Sequence, residues 1–150
     1  MSGTYSGRIH DPNHILQDYD IYYNEQLVSE GYSATDEMIG LLQRDVTSFT
    51  VPEGTTQLGN SAFRECRSLT KVILPDGIEK IFAYGFSNCI SITEIYLPAS
   101  ITNISSSVFS GTTALTKIYC GFSLGTVSGA PWSADAGVQI LYDQERPEGL

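Results

Sequence analysis

Apolar residues along most of the chain return at a fixed interval of 23 positions. Val46, Leu69, Ile92 and Leu115 form one column, Pro52, Pro75 and Pro98 a second, and Phe63, Phe86 and Phe109 a third. Chance does not keep three columns in step. A period between about 20 and 50 residues marks a solenoid, in which one unit cannot bury its apolar side alone and does so by stacking on the next.

Each unit opens with a short alternating run closed by Pro or Gly: Phe49-Thr-Val-Pro, Val72-Ile-Leu-Pro, Ile95-Tyr-Leu-Pro and Ile118-Tyr-Cys-Gly. Such runs predict strands, and stacking them predicts a parallel sheet. Period-two alternation turns Phe49, Val72, Ile95, Ile118 and then Leu141 inward, together with Val51, Leu74, Leu97 and Cys120. A second apolar set predicts the return path. Thr55, Ile78, Ile101 and Leu124 make one column and Leu58, Ile81, Ile104 and Val127 the next, before the phenylalanines, which fill the space behind the sheet. Trp132 stands 23 residues after Phe109 and extends that aromatic column. Val138-Gln-Ile-Leu-Tyr142 predicts a fifth strand, and Asp143 at its next inward position marks the end of the core. The tail 144–150 is polar and contains Pro147, suited to discouraging edge-to-edge pairing or to linking.

Residues 1–32 lack the period and read as an irregular segment or anchor, with Tyr19, Tyr22 and Tyr23 clustered among acidic residues. Within it, Ile21-Tyr-Tyr23 and Gln26-Leu-Val28 flank Asn24-Glu25 as the arms of a small hairpin. From Ser33, a hydroxyl capping residue and two acids precede Met38, Ile39, Leu41 and Leu42. That pattern predicts an amphipathic helix of about three turns over 33–45. Its place suits a cap over the raw apolar end of the solenoid, which then runs over 46–143.

The run Leu69-Thr-Lys-Val-Ile-Leu-Pro-Asp-Gly-Ile78, followed by Ile81, Phe86 and Cys89, resembles the BspA-type leucine-rich repeat family. The resemblance covers residues 46 to about 142. The last unit departs from it with Gly121 for Pro and Asp135 for Cys, while its Ala-Pro-Trp-Ser-Ala ending is similar to closing units in gut-bacterial and phage or prophage proteins. The resemblance implies the α/β class and a right-handed leucine-rich-repeat solenoid. A parallel sheet would form one side and irregular or 3₁₀ segments the other, used for adhesion and protein contact rather than chemistry. It supplies no universal binding residue.

Binding residues are therefore sought among the outward strand positions. One outward column is Thr47, Thr70, Thr93, Thr116 and Gln139; another is Ser48, Lys71, Glu94, Lys117 and Ile140, where the charges alternate and should pair modestly. The third is Thr50, Ile73, Tyr96, Tyr119 and Tyr142. Tyrosines in line on an open sheet offer flat rings edged with hydroxyls, which protein and sugar interfaces favour. Strand preference alone would select the same residues. The candidate face is thus Ile73, Tyr96, Tyr119 and Tyr142 with Lys71, Glu94 and Lys117, and Tyr19, Tyr22 and Tyr23 are the candidate anchor.

Composition narrows the partners. The 150 residues are 41% apolar and 17% charged with 14 glycines, as in an ordinary domain with many tight turns. A net charge of −9 disfavours nucleic acid and anionic lipid, leaving a protein or glycan on a host or neighbouring surface as the expected partner. No apolar run approaches the ~20 residues of a membrane span, and the opening Met1-Ser-Gly-Thr-Tyr-Ser-Gly lacks the head and middle of a signal peptide.

Chemistry finds little foothold, and neither catalysis nor a cofactor is expected. Cys66 and Cys89 share a column and Cys120 lies in another, which suits buried free thiols better than a zinc site or disulfide framework. His10 and His14 have i, i+4 spacing, but Pro12 between them spoils the helix that would put both on one face, so a loop is expected rather than a metal pair. Serines occur without a Gly-x-Ser-x-Gly elbow, and acids are scattered singly. The leading expectation is a binding or adhesion module acting through its strand face. The alternative is a structural part of a phage particle (tail, fibre or decoration protein) held in a larger assembly by residues 5–32. A virion or a bacterial cell surface is the location these readings imply.

Overall fold

The alternating runs form strands as their pattern requires. The computed structural model describes residues 3–9, 19–23, 26–29, 46–51 and 53–150. In the repeats, β4 (Val46–Thr50), β6 (Lys71–Ile73), β8 (Glu94–Leu97), β10 (Lys117–Cys120) and β11 (Gln139–Leu141) make the main strand wall, with β4 and β6 in one sheet and β8, β10 and β11 in a second. β4 pairs β6 in parallel with Phe49 opposite Val72, and β8 pairs β10 in parallel with Ile95 opposite Ile118. All four of these side chains are buried, as are Val51, Leu74, Leu97 and Cys120.

The return path is more regular than irregular or 3₁₀ segments would be. β5 (Gln57–Leu58), β7 (Lys80–Ile81) and β9 (Asn103–Ile104) form a second parallel sheet that sets Leu58, Ile81 and Ile104 side by side in the core. Consecutive turns, not helix, then carry the chain past the phenylalanine, with Cys66 N–H bonded to Phe63 C=O and Cys89 N–H to Phe86 C=O. Between turns of the coil, Phe63 N–H donates to Gly85 C=O at 2.8 Å and Phe86 N–H to Val108 C=O at 3.0 Å. Each turn therefore satisfies the buried amides of the one before it.

The aromatic column is realised as a stack. Phe63 and Phe86 lie 5.4 Å apart with planes 1° from parallel, and Phe86 and Phe109 lie 5.8 Å apart at 9°. Phe49 closes one end edge-on at 5.2 Å from Phe63, and Trp132 tilts against Phe109 at 6.5 Å. A residue preceding each Cys or Thr of the next column takes a left-handed backbone: Glu65, Asn88 and Gly111, with φ of 60°, 58° and 75°. Only Gly111 does so without steric cost.

The fourth unit keeps the aromatic register but loses one residue afterwards. In earlier units two residues lie between the buried leucine-type position and the strand's first inward one, as between Leu115 and Ile118, whereas only Gln139 lies between Val138 and Ile140. β11 therefore pairs Ile118 with Ile140 and Tyr119 with Leu141. A one-residue slip moves every side chain to the other face, so Val138, Ile140 and Tyr142 pack on the core in place of the expected Leu141 and Asp143. Leu124 also departs from its column and is 75% exposed. Phe122 takes over, its ring 6.2 Å from Trp132 and 6.2 Å from Tyr142, so three aromatic rings close the core end.

At the other end, three strands lie in the stretch without a period: β1 (Gly3–Ile9), β2 (Tyr19–Tyr23) and β3 (Gln26–Ser29). The expected hairpin forms, with Tyr22 opposite Leu27 and Tyr23 opposite Gln26. β1 pairs antiparallel with β2 and parallel with β4, so residues read as irregular extend the strand wall in the order β3-β2-β1-β4-β6. Among the described residues there is no helix. The capping helix, and with it the α part of the expected class, falls on residues 33–45, outside the described ones.

Phe86→Ala removes the ring between two parallel neighbours and should lower the unfolding free energy by ~3–5 kcal/mol in a denaturant titration. Gly111→Ala should cost ~1–2 kcal/mol from the left-handed backbone alone. A β-carbon there would also collide with Asn88 Oδ1, so the amide must turn away and the melting temperature should fall.

Candidate functional site: the outer strand face

Threonines begin the outward face. Thr70, Thr93 and Thr116 are exposed at the start of each strand. Thr70 Oγ1 donates to Thr47 C=O and Thr116 Oγ1 to Thr93 C=O, each at 3.0 Å. Their hydroxyl groups thus tie successive turns together on the outside while the rings do so within.

Glu94 and Lys117 stand opposite each other across β8 and β10, Lys71 lies opposite Ser48 at the end of the neighbouring sheet, and Lys71, Glu94 and Lys117 are each half-buried. Among the described residues no ion pair joins them. Glu94 Oε1 instead accepts a long bond, 3.4 Å, from the Tyr119 hydroxyl. Ile73 and Tyr119 are half-buried and hold the outward positions assigned to them.

The row of three exposed tyrosines does not form. Tyr142 leaves it because the slip in β11 turns its ring toward Phe122, and Leu141 takes the place beside Tyr119. The same slip puts Gln139 beside Lys117 and turns Ile140 inward. Tyr96 is 6% exposed. Instead of standing up from the sheet it is covered by the tail, whose Arg146 guanidinium lies over the ring at 4.7 Å from its centre. Gly121 makes room beneath: a β-carbon there would sit 2.6 Å from the Tyr96 hydroxyl and 2.6 Å from Ala99 N. That contact gives a physical reason for glycine where three earlier units have proline.

The tail is held against the solenoid. Gln144 N–H bonds to Cys120 C=O at 2.9 Å, and the chain then runs back over the ends of the strands. Arg146 Nη2 donates to Leu74 C=O and to Asp76 Oδ1, both at 2.8 Å, and Nη1 donates to Leu150 C=O at 2.9 Å. Burial pushes the Tyr96 phenol above the ordinary tyrosine value, with the Arg146 charge opposing it. Burial likewise raises the Tyr142 phenol.

Tyr19, Tyr22 and Tyr23 lie on β2, whose backbone is paired on both sides by β1 and β3. Among the described residues, β3 and not β2 ends that sheet. His10 and His14 lie outside the described residues, and no group of metal-binding side chains occurs among those described.

The BspA type leucine rich repeat region matches residues 42–130, in six copies. The chain belongs to this family. Among solved structures it is similar to a leucine rich cell surface protein from Faecalibacterium prausnitzii A2-165, with 22% identity and a TM-score of 0.54. That match covers 68% of this chain, which spans 27% of the length of the other. It is also similar to a leucine rich repeat protein of T. pallidum at 17% identity and a TM-score of 0.47, over 93% of this chain and 79% of the other. No curated protein matches. These likenesses concern the fold.

The cysteines of this BspA-type repeat are more than apolar filler. All three are buried and free. Cys89 Sγ donates to Phe63 C=O at 2.9 Å, and in the next unit Thr112 Oγ1 makes the same bond to Phe86 C=O at 2.7 Å. The column thus places a small donor where it adds a second bond to a carbonyl inside the coil, which thiol and hydroxyl both supply. Its hydrogen bond with Cys89, and then burial, push the Cys66 thiol far up.

Burial alone raises the Cys120 thiol from 9.0 to about 12. An acid whose folded value is raised stabilises the fold fully below its unfolded value, and that contribution is lost as pH climbs toward the folded one. Unfolding free energy should therefore fall between pH 9.0 and about 12. Cys120→Ala should flatten that fall in denaturant titrations across the range; an unchanged slope would assign it to other groups.

Proposed function

We propose that this chain is a non-enzymatic binding module that presents its outer strand face to a protein or glycan on another surface. One observation carries the reading: the exposed threonine row, the alternating Lys71, Glu94 and Lys117, and the half-exposed Ile73 and Tyr119 lie along the outer side of successive strands, Lys71 and Ile73 at the end of one sheet and Glu94, Lys117 and Tyr119 in the next. Hydroxyls, both signs of charge and one ring edge on a flat support suit a broad polar contact with an apolar centre. The solenoid holds them on backbone that is hydrogen-bonded turn to turn, so little ordering is needed on contact. Membership of a repeat family, and likeness in fold to a protein described as a leucine rich cell surface protein, support the same reading.

The face is smaller than the sequence suggests, since Tyr96 and Tyr142 are withdrawn from it. Tyr119 is then its central aromatic. On a glycan array and a panel of immobilised extracellular-matrix proteins, Tyr119→Ala combined with Ile73→Ala should weaken the strongest interaction by about tenfold or more, a loss of roughly 1.4 kcal/mol. Melting temperature should stay near that of the parent chain, because both side chains lie outside the core. Equal binding by parent and variant would put the contact elsewhere.

A further inference from the structure

Arg146 fills a place that the repeat itself leaves open. In the parallel ladder, Gly121 N–H donates to Leu97 C=O at 2.8 Å, where the strand has just ended. One turn earlier the residue at that place is Pro98, which has no N–H to give. β6 and β8 also end separate sheets, so among the described residues no ladder bond reaches Leu74 C=O, and the Arg146 guanidinium donates to it at 2.8 Å. The same nitrogen meets Asp76 Oδ1 at 2.8 Å, and the guanidinium carbon rests 4.7 Å above the centre of the Tyr96 ring.

A carbonyl, a carboxylate and an aromatic face around one flat cation are the groups that distinguish a guanidinium from an ammonium. All three belong to the solenoid, and the cation alone comes from the tail. Beyond Gln144, the bonds that hold the tail to the solenoid among the described residues are those of Arg146. Asp76 is 86% exposed, so its ion pair adds little that water would not replace. An incoming guanidinium would make the same three contacts that Arg146 gives up.

We propose that Leu74, Asp76 and Tyr96 form a guanidinium seat, which Arg146 occupies in cis and an arginine from a cationic partner segment takes in trans when the tail lifts. The net charge of −9 draws such a segment toward the chain. The seat lies at the ends of the strands, apart from the threonine and lysine rows. Its test needs no partner for the strand face.

The test follows Tyr96 by tetranitromethane nitration, mapped by mass spectrometry, in the full chain. In the parent, Arg146 shields the ring and nitration is slow. Arg146→Ala should speed it by about tenfold or more, and Arg146→Gln, which keeps the aliphatic stem, is carried alongside in case the first variant does not fold. Melting curves and the near-ultraviolet signal of buried Trp132 report the fold. Capped arginine (N-acetyl-arginine methylamide) should restore protection to the variant in a saturable way. Capped lysine should do so less well and the neutral isostere capped citrulline not at all, and Asp76→Asn added to the variant should weaken the restoration. Tyr96 nitration that Arg146→Ala leaves unchanged would show that the guanidinium does not cover the ring. Faster nitration that capped arginine cannot suppress, or suppresses no better than citrulline, would reduce Arg146 to a staple and overturn the proposal.

Discussion

No turn of this coil is stable by itself, because the amides and rings that one turn buries are satisfied only by the next. Phe63 gives its N–H to Gly85 and its ring face to Phe86, and Phe86 repeats both contacts toward Val108 and Phe109. Removing water from such a column is favourable only if the backbone within it keeps its hydrogen bonds. The 23-residue length meets both conditions together, since it brings equivalent rings and equivalent amides into line at the same step. Cys89 and Thr112 add to this, each giving a second hydrogen bond to a carbonyl that its own turn already pairs, Phe63 C=O and Phe86 C=O.

The same requirement explains the ends. At one end β1 continues the backbone pairing outward from β4. At the other, Phe122, Trp132 and Tyr142 turn their rings on one another and shut the core with apolar surface where no further phenylalanine follows. The Trp132 Nε1–H remains satisfied by Ser128 C=O at 2.9 Å. The slip in β11 belongs to this arrangement, because it turns Tyr142 toward Phe122.

Pro98 ends β8 but has no N–H to offer the preceding turn, and the tail reaches Leu74 C=O there with a side chain 72 residues away in sequence. In doing so it hides Tyr96 and leaves Tyr119 as the central aromatic of the open face. The outer strand face is thereby coupled to the tail: the groups that cover the carbonyl also decide how much aromatic surface the outer wall shows.

The repeat length, the strands, the inward columns from Phe49 to Ile118, the aromatic stack and the hairpin arms were legible in the sequence because each depends on spacing, and spacing is local. Tyr142 and Leu141 were misassigned because a fixed 23-residue count passes over one missing residue between Val138 and its strand, although the shortened Val138-Gln-Ile140 was there as a signal. Nothing periodic marked Phe122 as a cap or β1 as a strand, and nothing near Tyr96 announced Arg146. Those features rest on contacts between segments far apart in the chain, whose geometry exists only once the coil has closed. The chain order thus determined what stacks on what, whereas the tertiary structure decided which outward side chains remain open to a partner.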